Sequence, residues 1–180
     1  TSPPTTVTPS ATTTTDTPTT NPTVFSTISV LFNATFPISV QNGTHIVSRR
    51  QLRRLVSDIF TDVIKNSIQS VLQSTLTHGQ TIEDIIITGI SQSGEILLID
   101  SQVILEERCI GSCEEQLENT TIYTTATNGL KEAVANGNFT ATLRELAANE
   151  SEGCDECLKT KNATLTATNV ATSNPIVMVT

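Results

Sequence analysis

Tryptophan is absent, tyrosine and methionine occur once each, and phenylalanine occurs five times. Positive charge is also scarce: ten Lys and Arg face eighteen Asp and Glu, for a net charge of −8. That balance excludes nucleic acid as a partner, because binding it needs a basic surface. It argues equally against anionic lipid. No run of 18 apolar residues occurs, so no segment reads as a membrane span. The two histidines, His45 and His78, are isolated from any ligand set, and neither a metal nor a cofactor is expected. No nucleophile stands in the sequence beside a base and an orienting group, so the chain reads as a non-enzyme. It does not begin with Met, which fits a removed signal peptide or a fragment, and a secreted product.

Threonine, by contrast, is abundant. Of residues 1–23, twelve are Thr, two Ser and five Pro, and the largest apolar side chain is Val7. Such a segment cannot bury enough apolar surface to offset its ordering entropy. Its composition is that of an O-glycosylated, mucin-like stalk, with Thr5, Thr6, Thr8, Thr12, Thr13, Thr14 and Thr15 as expected attachment sites. In polyproline II such a leader spans about 70 Å at roughly 3.1 Å per residue.

The rest of the chain has the periodicities of a folded domain. Ile28, Val30, Phe32, Ala34 and Phe36 alternate with Thr27, Ser29, Leu31, Asn33 and Thr35, which predicts a half-buried strand over 24–37 with Asn33 facing outward. Ser48, with Gln51 as capping-box partner, opens a predicted helix over 48–73. Leu52, Leu55, Val56, Ile59, Phe60, Val63, Ile64, Ile68, Val71 and Leu72 form its apolar face. Residues 81–91 and 95–107 read as a hairpin around Gln92-Ser93-Gly94. Helices follow over 122–136 and 139–148, broken near Gly137, then strands over 163–172 and 176–179. The order β-α-β-β-α-β is the split βαβ pattern. It predicts an α+β fold with helices on one face of a four-stranded antiparallel sheet.

This order, in a Thr-rich setting, resembles the SEA-type domains of mucins and other glycosylated surface proteins, over residues 24–172. Many SEA domains cleave themselves at a Gly-Ser bond between the second and third strands. Here the turn reads Ser93-Gly94-Glu95, so self-cleavage is not implied. Cys109-Ile-Gly-Ser-Cys113, Leu130-Lys-Glu-Ala-Val-Ala-Asn-Gly137 and the Thr-rich flanks also resemble secreted repeat proteins of diatoms and related microalgae. The whole resembles the protomer of an environmental glycoprotein fibril.

Candidate sites follow from these readings. Asn33, Asn42, Asn119, Asn138, Asn149 and Asn162 satisfy the Asn-X-Ser/Thr rule for N-glycosylation. Cys109, Cys113, Cys154 and Cys157 read either as two disulfides or as a four-thiolate zinc site; the secretory features favour disulfides. Bridges between the two pairs are expected, because closing loops of roughly 40 residues stabilises most, by about 3–4 kcal/mol each. Arg49, Arg50, Arg53 and Arg54 occupy the first turns of the predicted helix, the unfavourable end of its dipole. They are expected to dock an acidic surface such as Glu106, Glu107, Glu114, Glu115, Asp155 or Glu156 of a neighbour, or acidic sugars. Ile176, Val177 and Val179 lie in a terminal strand (within 173–180) that either closes its own sheet or is donated to another copy. The expected partners are further copies in a helical filament and covalent glycans. The expected function is a structural, extracellular glycoprotein; the alternative is a SEA-like adhesion or carbohydrate-binding ectodomain on a mucin-like stalk.

Overall fold

The computed structural model describes residues 25–42, 45–46, 58–111, 113, 121–150 and 163–179. In chain order the elements are β1 (Phe25–Asn42), β2 (His45–Ile46), α1 (Asp58–Thr75), β3 (Gln80–Ser93), β4 (Ile96–Ile110), α2 (Thr121–Ala135), α3 (Asn138–Glu150), β5 (Ala163–Ala167), β6 (Ala171–Thr172) and β7 (Ile176–Val179). The described residues are α+β, with one antiparallel sheet and three helices. The expected four strands are corrected to seven strand segments.

Register explains the difference. β4 runs along one side of β1, from Phe25↔Ile110 to Ser39↔Ile96. The short β2 continues that row, because Gln41 pairs with Ile46 on one side and Thr164 of β5 on the other. The opposite side of β1 is lined in succession by β7 (Ile28↔Val179 to Leu31↔Ile176), β6 (Ala34↔Thr172, Thr35↔Ala171) and β5 (Ile38↔Ala167 to Asn42↔Ala163). β3 adds outside β4. The seven segments thus lie in four rows, in the split βαβ arrangement.

Pro37 accounts for one break in the row opposite β4. In an antiparallel ladder a residue's N–H and C=O point to the same neighbour. The Pro37 carbonyl accepts from Thr168 N at 3.2 Å, so its missing N–H faces the same row. That row is interrupted there, between Ala167 and Ala171. β1 therefore continues past Pro37 to Asn42, beyond the predicted end at residue 37. A proline in a central strand is tolerated because its neighbour leaves the ladder at that point.

The even-numbered β1 residues from Ile28 to Val40 are all buried and face the helices. They meet Leu97, Ile99, Val103 and Leu105 of β4 and Ile85 of β3. α1 presents Val63, Ile64, Ser67, Ile68, Val71 and Leu72, the one-and-three spacing of an amphipathic helix. α2 contributes Ile122, Ala126, Leu130, Ala133 and Val134. α3 contributes Phe139, stacked on Phe36 with ring centroids 4.9 Å apart, and Leu143. Each large aliphatic side chain buried here contributes about 1.5–3 kcal/mol. Gly137, with φ +82°, separates α2 from α3 as its position predicts. Gly129 of α2 lies against Thr75 at the end of α1, where a Cβ would meet the Thr75 side chain. Buried hydroxyls are satisfied locally: Ser67 donates to Val63 O (2.7 Å) and Thr127 to Tyr123 O (2.9 Å). The predicted start of the first helix, with Ser48 and Gln51, lies outside the described residues.

Candidate glycan-bearing and docking surfaces

Among the described residues, no helix covers the other face of the sheet. Odd β1 residues and even β4 residues point there, and register sets them side by side. Phe25 pairs with Ile110 at one end. Ser29 lies between Glu106 and Met178, and Leu31 between Ile104 and Ile176. Asn33 pairs with Gln102, which in turn pairs with Ile86 of β3. Thr35 pairs with Asp100, and its hydroxyl donates to the carboxylate at 2.7 Å. The large exposed hydrophobics concentrate on this open face: Ile110 is 80% exposed, Phe25 64%, Ile176 59% and Met178 48%, with Ile86 and Ile96 also uncovered. The exposed Asn33 stands next to the strip formed by Ile104, Leu31 and Ile176.

Asn33 is held by its backbone: its N–H donates to Ser173 Oγ (2.9 Å), and its carbonyl accepts from Ser173 N (2.9 Å). Among the other sequons, Asn138 is exposed at the start of α3 and Asn149 near its end. Asn42 ends β1, while Asn119 and Asn162 lie outside the described residues. Two sequon hydroxyls also serve the fold. Thr35 bonds Asp100, and Thr140 accepts from Ala167 N at 3.1 Å, tying α3 to β5.

The cysteine pairing differs from the expectation of bridges between pairs. Cys109 is bonded to Cys113 within one pair, with Cα atoms 5.8 Å apart and both residues buried. Gly111, with φ +87°, turns the chain at the end of β4 and brings Cys113 back onto Cys109. Local chain reversal therefore decides the partner, whereas the expectation rested on loop length. Cys154 and Cys157 lie outside the described residues, as do Arg49, Arg50, Arg53, Arg54 and the leader threonines Thr5, Thr6, Thr8 and Thr12 to Thr15. Of the acidic residues expected to receive the arginines, Glu106 and Glu107 are half-buried at the end of β4, with Glu107 accepting from Gln80 Nε2 at 3.3 Å.

Ile176, Val177 and Val179 form β7, which closes the chain's own sheet along β1. Val177 packs against the core, and the loop before it is pinned by Tyr123, whose hydroxyl donates to Ser173 O at 2.8 Å. Tyr123 also packs edge-on against Phe32, with centroids 5.3 Å apart. On the far edge, β3 pairs with β4 alone among the described residues and carries irregularities at Ile82/Asp84 and Ile87/Gly89. Lys65 of α1 donates to Asp84 at 3.1 Å. That bond and the Ile85 N–H hold the Asp84 carboxyl below its ordinary value of 3.8. Among the described residues, no group of three or more His, Cys, Asp or Glu could hold a metal ion, and no helix is long and apolar enough to cross a membrane.

The apolar strip is absent from the expectations drawn from sequence. Its signal was Leu31, an apolar residue in the outward set of β1; the other members come together only through strand register.

No protein-family model matches the chain, and no curated protein sequence matches it. Among solved structures it is similar to the full extracellular region of zebrafish Gpr126/Adgrg6, at 12% identity and a TM-score of 0.31. That similarity covers 81% of this chain and 13% of that one. It is also similar to AtUAH in complex with glyoxylate, at 6% identity and a TM-score of 0.25, covering 82% of this chain and 28% of that one. The chain spans less than a third of either protein. Likeness at this level fixes neither fold nor activity.

Proposed function

We propose that the chain is a secreted structural glycoprotein whose SEA-like module joins copies head to tail into a glycosylated filament. The supporting observation is the inequality of its two sheet edges. β3 offers one edge strand of 14 residues with two irregularities, whereas the opposite row is broken into three short segments. Pairing through unlike surfaces is heterologous and leaves an open chain of subunits. Because β7 fills its own sheet, the connector in this reading is the Thr/Pro leader, added as a strand along β3 of the next copy. Its reach of about 70 Å in polyproline II exceeds the diameter of one domain, roughly 40 Å. The exposed asparagines Asn33, Asn138 and Asn149 suit a glycan coat, and the Cys109–Cys113 disulfide suits an oxidising compartment.

Electron microscopy of the secreted protein beside a variant lacking residues 1–24 tests this reading. Regular fibres from the full chain and single particles from the truncated one are expected. Single particles from both would refute the filament and favour a SEA-like ectodomain on a mucin-like stalk.

A further inference from the structure

We propose that Asn33 carries an amide-linked oligosaccharide whose inner sugars lie on the apolar strip of the open face, in the place of a second packing layer. The inference rests on the chain being a secreted glycoprotein, and it assigns one sugar a structural task. Three observations carry it. Asn33 is exposed on the open face, and among the described residues its bonds to Ser173 are made by its backbone, not its side chain. Asn33-Ala34-Thr35 is a complete sequon. Asn33 borders the half-buried Leu31 and Ile104 and the exposed Ile176, which register sets in one apolar row across three strands.

Scale agrees with this placement. The strip from Ile104 across Leu31 to Ile176 spans two strand spacings, roughly 10 Å, a length that two sugar rings cover. The apolar ring faces of those sugars meet the aliphatic side chains, and their hydroxyls are left to Gln102, Asp100 and water. The alternative cover is a second copy packed sheet on sheet. That arrangement needs interdigitated side chains in a layer about 10 Å thick, and a branched oligosaccharide rooted beside the strip prevents it. The attachment step is oligosaccharyl transfer from a lipid diphosphate donor. A bond forms from Asn33 Nδ2 to the anomeric carbon, the bond from that carbon to phosphate oxygen breaks, the lipid diphosphate leaves, and Nδ2 loses one proton.

The test uses the full chain secreted from a glycosylating eukaryotic host, as wild type, Asn33→Gln, Asn138→Gln, Asn149→Gln and Thr35→Ser. Thr35→Ser retains both the sequon and a hydroxyl for Asp100. Mass spectrometry of glycopeptides reads occupancy, binding of an apolar dye reads uncovered surface, and light scattering reads self-association. Asn33 should be occupied in the wild type and in Thr35→Ser. Asn33→Gln should bind severalfold more dye and self-associate, while the other two Asn→Gln variants match the wild type. Enzymatic release of sugar from the folded wild type should raise dye binding in the same way, which covers failure of the Asn33→Gln chain to fold. Occupied Asn138 and Asn149 with bare Asn33 would overturn this inference and leave the glycoprotein reading intact. No sugar at any sequon would overturn both. Occupied Asn33 with dye binding unchanged on its removal would reduce that glycan to an ordinary surface sugar and refute the structural role.

Discussion

Reduction of the Cys109–Cys113 bond should cost less than the cysteine spacing alone suggests. The bond links residues four apart in sequence. In the chain-entropy treatment a loop of about five residues restricts the unfolded state by about 2 kcal/mol, against about 4 kcal/mol for a loop of about 40. For a domain of this size each kcal/mol moves the melting temperature by about 2–4 °C, so a drop of about 4–8 °C is expected. The measurement is thermal unfolding of a Cys154→Ala/Cys157→Ala variant with and without reductant, since that variant retains only the bond in question. Before reduction, and unfolded in denaturant so that the buried sulfurs are accessible, it should show no thiol reactive to a thiol-specific dye. Two reactive thiols in the unreduced variant would refute the pairing. So would a wild-type peptide linking Cys109 to Cys154 or Cys157. A drop of about 4 kcal/mol on reduction would refute the loop-length argument even with the pairing intact.

Other perturbations probe the packing. Gly129→Ala places a methyl group against the Thr75 side chain and should destabilise the α1–α2 contact by about 1–3 kcal/mol in chemical denaturation; Thr75→Ala in the same chain should recover part of that loss, because the Thr75 Cβ that remains lies 2.9 Å from the added methyl. Phe139→Ala removes a fully buried ring stacked on Phe36 and should cost about 3–5 kcal/mol by the same assay. Asp84 has a folded carboxyl below its ordinary value, so its pair with Lys65 stabilises above the unfolded pKa and is lost as pH falls through the folded one. Asp84→Asn should therefore lower the unfolding midpoint slightly at neutral pH and leave it unchanged in strong acid; a difference that persists in acid would contradict the assignment.

Much of the fold was legible because period and punctuation agreed. The alternation from Ile28 to Phe36 marks β1 and its buried face correctly. Gly94, with φ +63°, is the first residue of a two-residue turn closed by Ser93↔Ile96, and Gly137 divides the two later helices. The strand count was not legible. It depends on Pro37 facing the edge row across 130 residues of sequence, so a segment that reads as one strand over 163–172 becomes two. A rule that proline ends a strand is local, whereas here the neighbouring row breaks and the proline's own strand continues. Cysteine pairing was illegible for a related reason, since four thiols at these spacings leave three connectivities open. The open face was the least visible feature: Phe25, Ile110 and Met178 meet through ladders that no local pattern announces.

The same faces constrain how copies add in the proposed filament. Helices fill one face of the sheet, and the proposed Asn33 glycan would occupy the other, which would leave a neighbour the hydrogen-bonding direction. Along that direction the β5–β7 row is a poor template, because its three segments are five, two and four residues long. β3 is the better acceptor, and its irregularities twist the edge without ending it. Lysine on an edge strand opposes strand addition through charge and desolvation. Thr88 and Ser91 are exposed on β3, and replacing both by Lys should leave the melting temperature of the single subunit unchanged while abolishing fibres in electron micrographs. Normal fibres from that variant would remove β3 as the acceptor and with it the edge argument for a filament. Loss of fibres together with loss of the folded subunit would mean that β3 acts in the fold first. Thr88→Ser/Ser91→Thr separates these outcomes, since it preserves the edge's polarity and should still form fibres.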